Sequence, residues 1–289
     1  MASSNYDDSY RMLLHDPSLE MTGKDVPGLE AAAPAIAPGT RVNVTFLGNE
    51  DLRMRVSAAA AVRAHGFVPV AHISARRLTS QGELDEFLGA LAREASADEV
   101  FAVAGDPAEP MGPYEDALAL IESGAFQRHG VKHVSISGYP EGHPEISDEL
   151  LWSALERKTA ALEAAGLSGA ILTQFGFDVD AVLRWLEAVR ARGIRTPVRI
   201  GVPGPAGIKR LLSYARRFGV GSSAGIVQKY GFSLTNLLGT AGPDRFVGEL
   251  GSRLEPETHG SVQLHFYTFG GVQATAEWIQ KFTAKAGAR

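Results

Sequence analysis

Phe67-Val-Pro-Val-Ala-His-Ile73 is an apolar run that ends near a histidine, and Val100-Phe-Ala-Val-Ala-Gly105 is a second such run. Between them Leu84, Phe87, Leu88 and Leu91 recur at i, i+3, i+4 and i+7, the spacing of one helical face. Ser80 and Glu83 precede that stripe as a capping-box pair. Strand, amphipathic helix and strand in this order make a parallel βαβ unit. The same alternation extends in both directions. Further strands are expected at Ser18–Thr22, Arg41–Leu47, His133–Ser137, Gly169–Thr173, Pro197–Val202 and Ser261–Thr268, with the two quoted runs lying in Phe67–Ile73 and Glu99–Ala104. Helical stripes recur at Val179, Val182, Leu183, Leu186 and Val189, capped by Asp178, and at Ile208, Leu211, Leu212 and Ala215. Eight strands in 289 residues predict a single-domain α/β chain closed as a (β/α)8 barrel, with an open doubly wound sheet as the alternative. Residues 1–16 read as an N-terminal extension and 17–289 as the barrel. The stretch EAAAPAIAPGT (Glu30–Thr40) leaves the first helix short or irregular.

Composition narrows the function. Hydrophobic residues make up 45% and charged residues 21%, so the chain can bury an ordinary core. It has no cysteine, which removes disulfides, thiolate metal sites and a catalytic thiol. A formal charge of −5 disfavours a nucleic-acid partner. No apolar run approaches the roughly 20 residues of a membrane span, and the polar, acidic start is unlike a signal peptide. A cytoplasmic globular domain is expected. No carboxylate–histidine set has metal-ligand spacing, and His129 and His133 are separated by Gly130, so no metal is expected.

In a parallel barrel, chemistry collects at the C-terminal ends of the strands. The polar residues there are Glu20, Thr45, His72, Asp106, Tyr139 with Glu141 and His143, Gln174 and Tyr267. Two glycine motifs point elsewhere. Gly219–Ala224 fits the dinucleotide fingerprint and Gly221–Gly225 fits the nucleophile elbow. Both require a preceding strand, and SYARRF before them continues a helix, so a glycine-rich connection is the expected reading. The bland readings of the strand-end residues are a solvated acid for Glu20, a satisfied buried imidazole for His72 and a proline-shaped turn for Tyr139-Pro-Glu141. Phe175, Phe177 and Phe266 are expected in the core.

Three segments carry a resemblance. SGYPEGHPE (Ser137–Glu145), ILTQFGFD (Ile171–Asp178) and LHFYTF (Leu264–Phe269) resemble the signature segments of the methylenetetrahydrofolate reductase family, approximately YPE-x-HPE, ITQ-[FL]-FFD and FHFYTLN. VNVTFLGN (Val42–Asn49), VAHIS (Val70–Ser74) and AGDP (Ala104–Pro107) resemble its second, third and fourth strand ends, so the likeness covers nearly the whole chain. It implies a TIM barrel carrying FAD, with a folate substrate, NAD(P)H as co-substrate, a homo-oligomer, and a place in one-carbon metabolism and methionine biosynthesis.

The resemblance also implies roles. Glu20 would be the general acid that helps open the folate imidazolidine to an iminium, and Gln174 would contact folate. Thr45, His72, Gly105, Asp106, Tyr139 and His143 would line the flavin, with Asp106 also near the pterin. Lys158 would approach the FAD phosphates, at the cost of about one extra helical turn in the alignment; its bland reading is a solvated helix charge. Tyr267 would join the substrate site, and the family's nicotinamide-stacking aromatic falls on Ile208, with Phe269 as a substitute from another strand. Such chemistry needs a hydride carrier, which the cofactor supplies, and a positioned acid, which the protein supplies.

Four departures bear on this. MTGK replaces FFPP after Glu20, Ala104 replaces the arginine of R-G-D, Ile208 replaces the aromatic, and Phe269-Gly270 replaces L-N. They predict weak use of NAD(P)H and operation toward oxidation of methyl-tetrahydrofolate. The alternatives are a flavin-free reductase taking hydride directly from a nicotinamide, and a non-catalytic barrel that binds folate or a partner.

Overall fold

Residues 13–219 and 240–286 are described in a computed structural model. Its strands are β1 (Ser18–Met21), β2 (Arg41–Val44), β3 (Val68–Ser74), β4 (Glu99–Val103), β5 (His133–Gly138), β6 (Ser168–Phe175), β7 (Val198–Pro203), β8 (Ala206–Gly207), β9 (Thr240–Ala241) and β10 (Val262–Tyr267). Eight of them close in the order β1–β10–β7–β6–β5–β4–β3–β2, every pair parallel, while β8 and β9 form a separate antiparallel ribbon. This is the expected (β/α)8 barrel, and each expected strand is present.

The helices are α1 (Val26–Ala32), α2 (Leu52–Ala64), α3 (Gln81–Ala95), α4 (Ala117–Glu122), α5 (Ala125–Arg128), α6 (Asp148–Ala164), α7 (Val179–Ala191), α8 (Ile208–Arg217), α9 (Asp244–Arg253), α10 (Pro256–His259) and α11 (Val272–Ala286). Local chemistry sets their ends. Ser80 accepts from the N–H of Glu83, and the Glu83 carboxylate reaches back to the N–H of Thr79, one residue before the cap. Asp178 accepts from the N–H groups of Asp180 and Ala181 at the start of α7. The first helix is short, as its sequence implies: α1 passes into a 3-10 turn at Ala33–Ala35, and Ile36 is already extended. The glycine motifs starting at Gly219 follow helix α8, and their residues 220–225 lie outside the described residues.

Alternation along each strand sorts side chains into two shells. Leu19, Met21, Ile73, Ile136, Ile171, Leu264 and Phe266 are buried between sheet and helices. Phe175, Phe177 and Phe266 lie in this core as expected. Inside the barrel the apolar content is small: Val70, Phe101 and Leu172, with Val103 and Tyr267 against them. The remaining interior positions are largely polar.

At the N-terminal ends of the strands an ion network forms the barrel floor. The Asp16 carboxylate lies 2.5 Å from Arg199 Nη2 and 3.0 Å from Arg41 Nη1, and its backbone oxygen accepts from Arg199 Nη1 at 2.7 Å. Arg41 also grips Glu99 through Nε and Nη2 at 2.7 and 3.1 Å. Arg199 is buried, so its charge depends on these partners. Leu13 and Leu14 are buried as well, which draws the chain ahead of β1 onto the barrel. Asp16→Ala leaves the Arg199 guanidinium short of its counter-charge. The expected loss is about 2 kcal/mol in urea unfolding, below the roughly 3–5 kcal/mol of a fully buried pair because Asp16 is partly exposed. An unchanged midpoint would refute this account of the floor.

Candidate active site

Glu20 is the inward-facing residue at the C-terminal end of β1. Its backbone oxygen accepts from Thr268 Oγ1 at 2.6 Å, which ties the end of β1 to the turn after β10. Its carboxylate lies between two histidines, with Oε2 3.8 Å from His72 Nε2 and 3.7 Å from His265 Nε2. His72 comes from β3 and His265 from β10, where it pairs in register with Ser18. Ser18 Oγ is 2.9 Å from His265 Nδ1, and both residues are fully buried. Edge-on rings hold each imidazole: Phe101 at 4.8 Å from His72 and Tyr267 at 5.0 Å from His265. Tyr267 donates its hydroxyl to the carbonyl of Thr173 at 3.1 Å.

Burial dominates the electrostatics here. It pushes His72 down to about 4 against the opposing pull of Glu20, with His265 adding to the depression. His265 is lowered for the same reason, and Arg199 below it acts in the same direction. Tyr267 is raised well above its ordinary value by burial, then by the charge of Glu20. Both imidazoles are therefore neutral near pH 7. Asn43 Oδ1, Thr45 Oγ1, His72 Nε2, Ser74 Oγ and His265 Nε2 are buried with no hydrogen-bond partner in the protein. Such a concentration of unpaired polar atoms is unusual and marks a surface built to meet a polar ligand.

Gln174 stands at the end of β6, half-buried, with Oε1 accepting from the N–H of Phe175 at 3.1 Å. The two longest signature segments explain each other. Glu141 Oε1 accepts from the N–H groups of Phe177 and Asp178 at 2.7 and 3.0 Å, and a side chain at Gly176 would collide with it. The glutamate of the YPE segment is thus a staple between the loops after β5 and β6, positioning Gln174. Tyr139 and His143 meet edge to face at 5.5 Å within that turn.

Gly105 adopts φ +99°, and a Cβ there would lie 2.1 Å from Ser74 Oγ, so glycine is required where β3 and β4 converge. Asp106 sits on the exposed rim, held by Arg77 through Nε and Nη2 at 2.7 Å each, and this pair keeps its carboxyl below the ordinary range. With Ala104 uncharged, the guanidinium beside Asp106 comes from Arg77 in the turn after β3.

Three expected site residues are arranged otherwise. Lys158 is not a solvated charge. It is buried on α6 with Nζ 3.4 Å from both oxygens of Ser137, beside a cavity of about 40 Å3 shared with Tyr139, Trp152 and Trp185, and burial lowers it to about 8. Ile208 is buried at the start of α8. Phe269 is already stacked on Tyr214 at 4.1 Å and meets the edge of Phe175 at 5.0 Å. Ser18, His265 and Arg77 were not among the expected site residues. The strand alternation that selects Tyr267 also selects His265 two residues earlier. Among the described residues no three potential ligands are grouped to hold a metal ion, and no helix is long and apolar enough to cross a membrane.

The depressed His72 has a consequence for stability. Its folded value of about 4 lies below the ordinary 6.5, so the unfolded chain takes up the proton first as pH falls. The contribution of neutral His72 is complete above pH 6.5 and is lost by about pH 4, a change of about 3 kcal/mol. The urea midpoint is expected to fall across this window, and His72→Gln to flatten the decline. An equally steep decline in the variant would count against it.

Comparison with known proteins agrees with this geometry. Residues 34–226 match the family model described as methylenetetrahydrofolate reductase. Methylenetetrahydrofolate reductase 1 of Schizosaccharomyces pombe is 28% identical over 202 residues, covering 66% of this chain and 32% of its own length. Methylenetetrahydrofolate reductase 2 of Saccharomyces cerevisiae is 31% identical over 128 residues, covering 41% and 20%. The chain spans a third or less of these relatives. Among solved structures, an uncharacterised protein from Clostridium thermocellum that binds two copies of 5-methyl-5,6,7,8-tetrahydrofolic acid has a TM-score of 0.60 at 10% identity, covering 95% of this chain and 98% of that one. At that identity the likeness speaks for the barrel alone. The family match extends over most of the chain, from ahead of β2 to beyond α8, and takes in the YPE and TQ segments that Glu141 ties together: the chain belongs to the methylenetetrahydrofolate reductase family.

Proposed function

We propose that the chain interconverts 5,10-methylenetetrahydrofolate and 5-methyltetrahydrofolate, with Glu20 as the group that moves the proton. The observation that carries this reading is the Glu20 carboxyl held between two neutral imidazoles in the barrel mouth. In the reducing direction Glu20 gives its proton to N10 as the N10–methylene bond breaks. The product is a cationic iminium at N5, beside the carboxylate just formed. Hydride addition to the methylene carbon then yields the methyl group. In the oxidising direction hydride leaves the methyl group, N10 closes on the iminium carbon, and Glu20 takes the N10 proton. The acid and the cation never coexist, which is why one carboxyl serves both steps. Gln174, with donor and acceptor on one amide, suits a pterin edge. Buried Thr45 and Ser74 hydroxyls without partners, with the edges of His72 and Tyr139, suit the ring system of the hydride carrier.

FAD is the carrier implied by the family. The residues at the mouth suit its isoalloxazine ring, but three positions that the resemblance puts farther out offer its diphosphate no free charge. Ala104 is uncharged, Arg77 is committed to Asp106, and Lys158 is buried against Ser137. This favours a second reading, in which a nicotinamide dinucleotide visits transiently and gives or takes hydride directly, its diphosphate left in solvent.

Two measurements test these readings. Glu20→Gln is expected to retain 5-methyltetrahydrofolate binding by calorimetry while turnover falls about 10³-fold. Turnover close to that of the unaltered protein would sink the proton role, and absence of folate binding in the unaltered protein would sink the function. The absorbance spectrum separates the carriers. A yellow protein bleached anaerobically by 5-methyltetrahydrofolate supports FAD, and a colourless protein that reduces NAD(P)+ with the same substrate supports the second reading.

A further inference from the structure

The Ser18–His265 pair has a defined polarity that the proton chemistry above does not use. A neutral imidazole carries one N–H and one lone pair, and the Nε2 of His265 has the Glu20 carboxylate as its charged neighbour at 3.7 Å. A lone pair at Nε2 would face that negative charge, whereas an N–H would point a donor at it. The hydrogen therefore belongs on Nε2. Nδ1 is then the acceptor, and Ser18 Oγ at 2.9 Å is the hydroxyl that donates to it. The opposite tautomer would spend the only ring hydrogen on Ser18 and turn a lone pair to the carboxylate, in a site where an unpaired polar atom is costly.

We propose that Ser18 fixes His265 as its Nε2–H tautomer and that His265 is a positioning residue, holding the Glu20 carboxylate in place without taking its proton. The inference rests on the role given to Glu20 above. The other groups facing this carboxylate are His72 from β3 and Tyr267 from β10, and Arg199 acts on His265 from below. None has its ring hydrogen placed from the far side as Ser18 places that of His265. His72 is as near, at 3.8 Å, but among the described residues no side chain bonds its ring to set the tautomer, and the Tyr267 hydroxyl is committed to Thr173. The 3.7 Å separation is an electrostatic contact, and hydrogen bonds of this kind commonly shorten when substrate fills the site. Burial of the ring, which depresses its proton affinity, keeps it a neutral donor while Glu20 exchanges its proton.

Long-range ¹H–¹⁵N correlation on the intact protein labelled at its eight histidines tests this without substrate. The His265 signals, assigned by their loss in His265→Gln, are expected to show a protonated Nε2 and a bare Nδ1 from pH 6 to 8. Ser18→Ala is expected to mix the two tautomers. A protonated Nδ1 in the unaltered protein, or an imidazolium in that range, overturns the proposal.

Kinetics supply the second readout. In the oxidising direction, His265→Phe is expected to move the acid limb of the pH–rate profile upward by about one pH unit, because the carboxylate loses its donor. His265→Gln, which keeps an N–H donor, is expected to restore most of that shift. A limb unmoved in a folded His265→Phe protein also overturns the proposal, and if that variant does not fold, the tautomer of the unaltered protein decides. Should the Nε2–H tautomer be found in a protein that does not turn over folate, the proposed function fails and this inference stands.

Discussion

Closure of the barrel between β1 and β10 is the constraint on which the site depends. It brings Ser18 into register with His265, 247 positions away in the chain. The same register carries Glu20 past the end of the pairing, where the Thr268 hydroxyl grips its backbone oxygen. A slip of one residue between these strands would reverse every side chain, putting Leu19 into the mouth and Glu20 among the helices. The outward residues Leu19, Met21, Leu264 and Phe266 oppose such a slip, since each is buried and each would have to enter a polar interior. The apolar shell between sheet and helices therefore aims the acid.

The interior bears the opposite burden. Its small apolar cluster leaves the middle of the barrel lined by Ser18, Asn43, His72 and His265, several of them with unpaired atoms. Each such atom costs free energy that a Val or Leu would not. The depressed His72 shows that cost directly, since the folded site resists a proton that the unfolded chain accepts readily. The ion network of Asp16, Arg199, Arg41 and Glu99 closes the far end. With that end tied, the mouth can carry unpaired polar groups. A site that stabilised itself fully would have no donors left for a ligand.

What the sequence made legible follows the range of the interactions involved. Strands and helices come from near-neighbour periodicity, and all eight barrel strands are evident in it, as is the short first helix implied by Glu30–Thr40. Glu20, His72 and Gln174 were legible because a parallel barrel sends strand ends to one face. The rim was not, because it depends on which loop reaches which. Ala104 reads as a lost cation, yet Arg77 in the neighbouring turn places one beside Asp106 across 29 positions. Lys158 reads as a surface charge or a phosphate ligand, because a helical wheel does not say how deeply α6 sits against β5. Glu141 reads as part of a turn, and its role as a staple appears only when the loops after β5 and β6 lie side by side.

These rim changes share a direction. The guanidinium at Arg77 is neutralised by a bidentate carboxylate, the ammonium of Lys158 is buried, and Ile208 is buried at the start of α8. Each leaves one free charge or exposed ring fewer at the rim, while Thr45, Ser74 and His72 hold unpaired polar atoms deep in the mouth. Stability alone gives no reason for the unpaired atoms of Thr45, Ser74 and His72 at the cost they carry. Unpaired groups deep in the mouth beside paired charges at its rim concentrate the unmet hydrogen-bonding capacity at the depth where Glu20 stands.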